Sequence, residues 1–584
     1  MSDVDLGRTW LSDCLSNHPR CSRRQTAELP TRLLDLGAFP DSADIKLVPS
    51  NSLPSPKAAE YFALSHCWGG DVPLKTTHAE GRFKSYLERI PYDKLPLSFR
   101  EAVDVTRELG CHYLWIDSFC IIQDDKRDWE REARRMADVY GGSALTLCAS
   151  SAENSMQGCH VGAMRTAGRY NSPPSARYLD FDSGQGVFRV FAKQPTRWNL
   201  HDRFKNPLRR RAWTLQEQEL STRMLHFASD VLLWQCTSLS ATGQLPWHNI
   251  APWSQAKRIP LKNSTGEETI TPGEDAEARE RWYRTIEEYT LRELTVESDK
   301  LPALAGLAAR FQLQVPNSTY LAGNWSEHLP SALLWRALPT ARSGLVPKRP
   351  GKPRAPTWPW ASLDGAVSYG SQGLRRSQAQ QANTQQQQPQ QPGLEDDDIW
   401  LSKVISAECA TKISEQWSTA PEGSVILAGP LVRMRILPRI PDGHGEVRRM
   451  LRLSREKWDY VSLVIDHAEK IVGLFFQDVH EGRMPTEDRV LYCLGIRNEM
   501  HNSSSPPPSP SLPARPDPRH FQVYKSWNRP KGATWPMANS DEQSVMGLGL
   551  TETEVEHVYQ RSGLIRWLKK SVFEGVASST VTLV

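Results

Sequence analysis

Between residues 61 and 149, short apolar runs alternate with longer segments whose apolar residues recur at helical spacing. The apolar runs, each of strand length, are Tyr61–Ser65, His112–Ile116 and Ser143–Ala149. The segments between them carry candidate helix N-caps at Ser98 and at Asp124 or Asp125. Strands and helices in strict alternation, joined by short connections, predict a parallel sheet with helices on both faces. We therefore expect an α/β fold with a doubly wound, mostly parallel sheet here.

Polar and aromatic residues stand where two of these predicted strands end. Ser65 ends the first strand, His66 and Trp68 follow it, and Asp117 follows the second strand. In an open α/β sheet, ligands bind at the carboxyl ends of strands, so neighbouring strands would bring these residues into one site. A carboxylate accepting a hydrogen bond from the imidazole would fix the tautomer of the ring. The alternative is a buried histidine that only secures the sheet edge.

Three blocks of sequence carry a family resemblance. They are Tyr61–Gly69, Tyr113–Gln123 and Arg211–Glu217, in that order along the chain. Together they resemble the signature blocks of the heterokaryon incompatibility (HET) domain of filamentous fungi, over residues 61–218. Segments that resemble the companion region of such proteins follow at Asp299–Ala308, Tyr320–Trp325 and Pro356–Ser362. The resemblance implies non-self recognition and cell-death signalling, through self-association or another incompatibility protein as partner.

A second resemblance concerns the string Trp213–Glu217, a W-x-x-x-E. With the βαβαβ order, it is similar to the TIR fold, some members of which cleave NAD with a glutamate in such a string. This likeness predicts a catalytic role for Glu217, with NAD as a substrate and no resident cofactor. His66 and Asp117, from their positions at the strand ends, are the other predicted catalytic residues. The residues predicted to bind the substrate are Ser65, Trp68, Trp213 and Arg211. The alternative places the tryptophans in the core, the arginine in a solvated loop and the glutamate in a cap or ion pair.

Composition divides the chain into seven parts. We predict a helical lead and linker at 1–58, the HET domain at 59–236, a mainly helical companion region at 237–370, a Gln-rich disordered linker at 371–398, a small β-rich domain at 399–500, a Pro/Ser-rich disordered linker at 501–535 and a helical tail at 536–584. Within the linkers, we expect disorder at Gln378–Gln391 and Ser503–Pro518. The helix of the tail is placed at Thr551–Lys570.

Charge and hydropathy narrow the class of protein. A net charge of +4 over 584 residues gives no reason to propose a nucleic-acid partner. Met1–Cys14 lacks the apolar core of a secretory signal, and no apolar run approaches the length of a membrane span. We therefore expect a cytoplasmic protein with no membrane span. The chain also lacks the G-x-S-x-G, H-E-x-x-H and P-loop motifs.

The ten cysteines are scattered and are predicted to be free thiols. Their one local cluster joins Cys14 and Cys21 with His18, which on a continuous helix would share a face. Three zinc ligands and a structural thiol-rich helix are both compatible with this spacing. Because no fourth ligand stands nearby in the sequence, the prediction is that no metal is bound.

Overall fold

The computed structural model describes residues 3–22, 28–56, 59–70, 74–159, 177–182, 187–192, 206–228, 231–243, 246–247, 272–338, 347–369, 400–409, 422–437, 461–465, 471–478, 489–499 and 544–584. They fall into two compact units. The first comprises Met1–Leu261, Arg292–Leu294 and Pro302–Arg310; the second comprises Lys262–Leu291, Thr295–Leu301 and Phe311–Val584. Both predicted disordered linkers, Gln378–Gln391 and Ser503–Pro518, lie outside the described residues.

The α-helices are Asp3–Asn17 (α1), Pro19–Ser22 (α2), Arg82–Glu88 (α3), Leu97–Glu108 (α4), Asp117–Cys120 (α5), Lys126–Gly142 (α6), Trp213–Leu220 (α7), Pro272–Thr290 (α8) and Ala305–Gln312 (α9). None of these described helices combines the length and the hydrophobicity that crossing a bilayer requires.

The strands of the first unit are Arg32–Asp35 (β1), Lys46–Pro49 (β2), Tyr61–Ser65 (β3), Tyr113–Trp115 (β4), Leu145–Cys148 (β5), Arg177–Asp182 (β6), Val187–Ala192 (β7), Arg223–Phe227 (β8), Leu232–Cys236 (β9) and Ser240–Thr242 (β10). All except the β6–β7 pair form one eight-stranded sheet in the order β10-β9-β8-β5-β3-β4-β1-β2.

The centre of this sheet confirms the predicted parallel arrangement. Strand β3 pairs in parallel with β4 on one side and with β5 on the other, and β5 pairs in parallel with β8. The prediction of a mostly parallel sheet was wrong, because β1, β2, β9 and β10 add antiparallel pairings at both edges. Short antiparallel strands can be joined by tight turns and need no crossover helix, so the strand–helix alternation could not reveal β1, β2 and β10.

The predicted lead and linker at 1–58 is only partly helical. Its helix α1 is present, but β1 and β2 then join the main sheet, with Leu34 opposite Leu114 of β4. Leu33, Leu34 and Leu47 are completely or almost completely buried. Each strand has only four residues, too few for a clear alternation of apolar and polar positions.

One of the two predicted helix caps is confirmed. The side chain of Asp125 accepts hydrogen bonds from the backbone N–H groups of Arg127 and Asp128 at the start of α6. Ser98 does not cap α4, because that helix begins one residue earlier. Its hydroxyl instead accepts a hydrogen bond from the N–H of Gly158, a long-range contact that local sequence could not indicate.

The second unit is built around another sheet. The described strands of this unit are Tyr320–Leu321 (β11), Asn324–Trp325 (β12), Arg336–Leu338 (β13), Ala366–Ser368 (β14), Lys403–Cys409 (β15), Gly423–Leu437 (β16), Val461–Ile465 (β17), Ile471–Gln477 (β18), Arg489–Glu499 (β19), Ser544–Glu552 (β20), Val558–Lys569 (β21) and Ser578–Leu583 (β22). The strands β15 to β22 form a single sheet, as expected for a β-rich region, and it continues beyond residue 500.

The predicted helical tail at 536–584 was wrong. Its described part consists mainly of β20, β21 and β22, and the segment proposed as a helix, Thr551–Lys570, lies largely in β21. A cross-strand ladder between β20 and β21 replaces the helical hydrogen bonds. Glycines at 547, 549 and 563 fit this arrangement, since a Cβ at any of them would lie within 3 Å of an atom of another strand.

Candidate functional site

The ends of β3 and β4 place His66 beside Asp117, as the sequence predicts for neighbouring strands. His66 follows the last residue of β3, and Asp117 opens helix α5 two residues after β4. The His66 Nε2 atom lies 3.8 Å from Asp117 Oδ1. This distance is too long for a hydrogen bond. The predicted carboxylate–imidazole hydrogen bond is therefore wrong, although the two side chains face each other.

The carboxylate of Asp117 is used by other donors. The indole Nε1 of Trp68 donates to Oδ2 at 2.8 Å, and the backbone N–H of Ser118 donates to Oδ1 at 2.7 Å. Both contacts hold the carboxylate at the sheet edge, where its side chain keeps 18% exposure. Trp68, half-buried, thus acts as a hydrogen-bond donor at the rim of the site.

His66 is neutral in this environment. Its pKa is lowered to about 4, mainly by burial; the charge of Asp117 opposes this lowering, and the nearby Arg211 guanidinium adds to it. The ring packs edge-on against Phe99, with 4.9 Å between ring centroids. Within the described residues, Nε2 has no hydrogen-bond partner. A buried ring nitrogen without a partner is costly, and it is a group that a ligand could satisfy.

The third block brings Arg211 and Glu217 to the same place. Arg211 precedes α7, and its Nη1 donates to the backbone carbonyl of His66. Glu217 lies within α7 and is 4% exposed. The Arg211 guanidinium lowers the pKa of both His66 and Glu217, so its charge is near both side chains. Trp213, half-buried at the start of α7, packs edge-to-face against Trp129 of α6 at 6.1 Å.

Glu217 is a carboxyl that titrates near neutral pH. Burial raises its pKa to about 7, and this outweighs the lowering by Arg211 and by the hydroxyls of Ser65 and Tyr140. Its Oε2 atom has no close hydrogen-bond partner in the described part of the chain. Side chains poised near the working pH can donate and accept protons, and they cluster at functional sites. Burial alone would give the same pKa to a purely structural carboxyl.

One contributor to the site was missed from sequence. Tyr140 is buried in α6, close enough for its hydroxyl to lower the pKa of Glu217, while burial raises the pKa of the tyrosine well above its ordinary value. In the sequence, Tyr140 belongs to the apolar stripe of an amphipathic helix and looks like core. The packing of α6 against α7, which the local sequence does not show, brings the hydroxyl of Tyr140 close to Glu217.

The strand order explains why these groups converge. The chain passes from β3 to β4 on one side, then returns to β5 on the other side and continues to β8. The direction of the connections therefore reverses between β3 and β5. In open α/β sheets, ligands bind outside the carboxyl ends of strands at such a reversal. Ser65, His66 and Glu217 stand at or near this edge.

The site consists of a buried floor and a partly exposed rim. The floor contains the neutral imidazole of His66, the carboxyl of Glu217 and the hydroxyls of Ser65 and Tyr140. The rim has opposite charges on Asp117 and Arg211 and the indole of Trp68. This arrangement can bind a polar ligand through the rim and exchange a proton with it at Glu217. It offers no thiolate nucleophile, because burial raises the pKa of Cys67 to about 11.

Comparison with known proteins identifies this region. Residues 61–217 match the family model described as Heterokaryon incompatibility protein (HET). No curated protein and no solved structure matches the chain significantly. The match begins at the first residue of β3 and ends at Glu217, so it encloses the site from floor to rim. Residues 61–217 of this chain are a domain of the heterokaryon incompatibility family.

Proposed function

We propose that this protein is an incompatibility-type signalling protein whose HET domain triggers cell death. The observation that carries the proposal is the family match over residues 61–217, which covers all three sequence blocks and the site that they build. Self-association, or contact with another incompatibility protein, would bring HET domains together and start the signal. The second unit is then available to sense or bind a partner.

Controlled expression in a filamentous fungal host tests this proposal. The full chain, under an inducible promoter, should kill or arrest hyphae within hours of induction, as measured by a vital dye. Asp117→Asn should reduce killing, because it removes the charge that holds the rim through Trp68. A matched control is Glu88→Gln, at an exposed position at the end of α3. Light scattering of the purified chain measures self-association directly. Viable, normally growing hyphae at high expression would contradict the proposal.

A second candidate function is the cleavage of NAD at its nicotinamide–ribose bond. The specific observation in its favour is the Glu217 carboxyl beside Arg211 at the reversal of the sheet. The order β4-β3-β5-β8 also corresponds to the 2-1-3-4 run of flavodoxin-like sheets, which supports a TIR-like arrangement at the level of fold. Arg211 would pair with the pyrophosphate, and Trp68 or Trp213 would contact a ring of the substrate.

The chemistry assigns a definite role to Glu217. Water replaces nicotinamide at the anomeric carbon, giving ADP-ribose, nicotinamide and a proton. The transition state resembles an oxocarbenium ion, and a carboxylate stabilises that developing positive charge. With a pKa of about 7, Glu217 would be about one-tenth ionised at pH 6 and about nine-tenths at pH 8. The rate should therefore rise across this range.

Release of nicotinamide from NAD by the purified chain tests the second candidate. Glu217→Gln keeps the shape of the side chain and removes the charge, so it should abolish turnover. Glu88→Gln should leave turnover unchanged. If the wild-type chain releases no nicotinamide, the enzymatic role is refuted, whereas killing of hyphae by that same chain would leave the signalling role intact.

A further inference from the structure

The first unit holds a second cluster of chemically reactive side chains, where the N-terminal helices α1 and α2 meet the end of β9. Cys14 of α1, His18, Cys21 of α2 and Cys236 of β9 each offer one ligand atom, and these atoms all lie within 4.8 Å of one another. We infer that this cluster, Cys14/His18/Cys21/Cys236, is a structural zinc site. Cys236 supplies the fourth ligand that the local sequence lacks.

The geometry suits a tetrahedral zinc ion. With Zn–S bonds of about 2.3 Å and a Zn–N bond of about 2.0 Å, neighbouring ligand atoms should lie roughly 3.5 to 3.8 Å apart. Cys236 Sγ and His18 Nδ1 are already separated by 3.5 Å. The three cysteines are buried, and His18 keeps 17% exposure. A small contraction around an ion would complete the site.

The break between α1 and α2 is part of this arrangement. A continuous helix was the basis for the predicted shared face, but α1 ends at Asn17 and Pro19 begins α2. Proline lacks an N–H and disfavours helical geometry in the residue before it, so His18 falls outside both helices. The turn nevertheless leaves Cys14, His18 and Cys21 directed at a single point.

The surroundings of the ligands resemble the outer shell of a metal site. Metal-binding histidines usually pair their second ring nitrogen with a carboxylate or carbonyl, which fixes the tautomer. Here Nδ1 faces Cys236, and Nε2 lies 3.6 Å from Asp13 Oδ2. The backbone N–H of Leu239 donates to Cys236 Sγ at 3.2 Å, as befits a thiolate acceptor. Ser238 Oγ lies 3.6 Å from Cys21 Sγ.

The local charges also balance around a divalent ion. Three thiolates and one Zn²⁺ leave a net charge of −1, which is costly to bury without a cation. Arg223, 4% exposed, donates from Nε to Cys14 Sγ at 3.2 Å and from Nη2 to the Cys21 carbonyl at 2.6 Å. Its single positive charge neutralises the site. A disulfide would consume two of the three thiols and leave the guanidinium without an anionic partner in this cluster.

The ligand set selects the metal. Tetrahedral sites of cysteine thiolates and imidazole are typical of structural zinc, whereas carboxylate and water ligands suit calcium and magnesium. The zinc would tie the N-terminal helices to β9, joining positions 218 residues apart along the chain. Both partners lie outside the family match at 61–217, so the metal would clamp the domain from its two flanks.

Metal content of the purified full chain is the first test. The protein is expressed in zinc-supplemented medium, its affinity tag is removed, and zinc is measured by inductively coupled plasma mass spectrometry. We expect about one zinc per chain. Cys236→Ser should lower this to well under half, whereas Cys111→Ser should not change it. Cys111 is a buried thiol of the same unit, outside the cluster, whose Sγ contacts only backbone carbonyls among its described hydrogen bonds.

Cobalt substitution separates ligation from folding defects. The reduced, metal-free chain titrated with Co²⁺ should show the strong visible absorption of a tetrahedral thiolate site, and added zinc should displace it. His18→Cys keeps four ligands, so it should retain zinc with a shifted cobalt spectrum, while His18→Ala should lose affinity. Asp13→Asn should weaken zinc binding about 10- to 100-fold, because it removes the orienting carboxylate.

Three results would overturn the inference. The first is a zinc-free chain that takes up no Co²⁺ when reduced. The second is metal binding that Cys236→Ser and His18→Ala leave unchanged, which would place the ion elsewhere. The third is an intact mass 2 Da below that of the reduced chain, lost specifically in Cys14 or Cys21 variants, which would show a disulfide in place of a metal.

Discussion

Replacing Glu217 with glutamine should stabilise the first unit at pH 8 and should have little effect near pH 4.5. The carboxyl is 4% exposed, and burial raises its pKa from 4.5 to about 7. Glutamine has nearly the same shape but carries no charge at any pH. The variant therefore imitates the protonated glutamic acid, the form that the interior of the protein prefers.

The size of the stabilisation expected for Glu217→Gln follows from the shift in the pKa of Glu217. The folded state holds the proton of the Glu217 carboxyl more tightly than the unfolded state does. Its favourable contribution to the free energy of unfolding is therefore complete below pH 4.5. It is lost progressively as the pH rises through 7, the pKa of the folded state. One pKa unit corresponds to 1.36 kcal/mol, so the charged form weakens folding by roughly 3 kcal/mol above pH 7. Glu217→Gln should recover this amount.

Hydrogen exchange measured by mass spectrometry reads the first unit separately from the second. Peptides that cover β3 and β5 report the free energy of opening around the site, after correction for intrinsic exchange rates at each pH. Between pH 5 and 8.5, the wild-type value should fall with increasing pH, and the Glu217→Gln value should stay nearly flat. Peptides from β20 serve as an internal control, and Glu88→Gln serves as the control variant.

Two results would refute this reasoning. A wild-type opening free energy that does not depend on pH between 5 and 8.5 would mean that Glu217 is not buried as a proton-binding carboxyl. A glutamine variant that is destabilised equally at all pH values would mean that the carboxylate is stabilised by its neighbours. In that second case Arg211, and not burial, would control the pKa of Glu217.

Three further substitutions test the packing of each unit. Asp128→Asn should destabilise the first unit by about 3–5 kcal/mol in urea denaturation, because it removes the carboxylate 2.5 Å from the buried Arg32 guanidinium and leaves Glu132, at 3.8 Å, as a more distant ionic partner. Arg561→Met should destabilise the second unit by a similar amount, since Asp478, 1% exposed, would lose a 2.8 Å ion pair. Gly306→Ala should cost about 1–3 kcal/mol, because its new Cβ would approach two side chains to 2.7 Å; an unchanged melting temperature would contradict this.

The central strands could be predicted because their pattern is local. Each of β3, β4 and β5 is an apolar run bounded by polar or small residues, and an amphipathic helix separates each strand from the next. The rule that ligands meet the carboxyl ends of parallel strands then indicated His66 and Asp117 before any contact was known. Arg211 and Glu217 came from a family resemblance instead, and no periodicity in the sequence would have selected them.

The missed elements share a different physical origin. Strands β1 and β2 are short, and they are stabilised by pairing with each other and with β4 more than by their own sequence. Thr551 in β20 and Glu554 just after this strand stand at helix-cap spacing, which favoured a helix. The alternation of glycine with leucine in Met546–Leu550 was the available strand signal, because such a repeat places both leucines on one face of a strand.

The first unit is larger than the segment that the family model matches, and residues outside that segment support the site. The match ends before β8, which covers one edge of β5, and it begins after β1, which covers one edge of β4. Arg32 of β1 also donates a hydrogen bond to the carboxylate of Asp128. The same carboxylate accepts a hydrogen bond from the backbone N–H of Ile122. Residues outside the match therefore hold the strands whose ends carry His66 and Asp117. All four ligands of the inferred zinc site, Cys14, His18, Cys21 and Cys236, also lie outside the match, so the metal would stabilise the scaffold of the HET site without touching it.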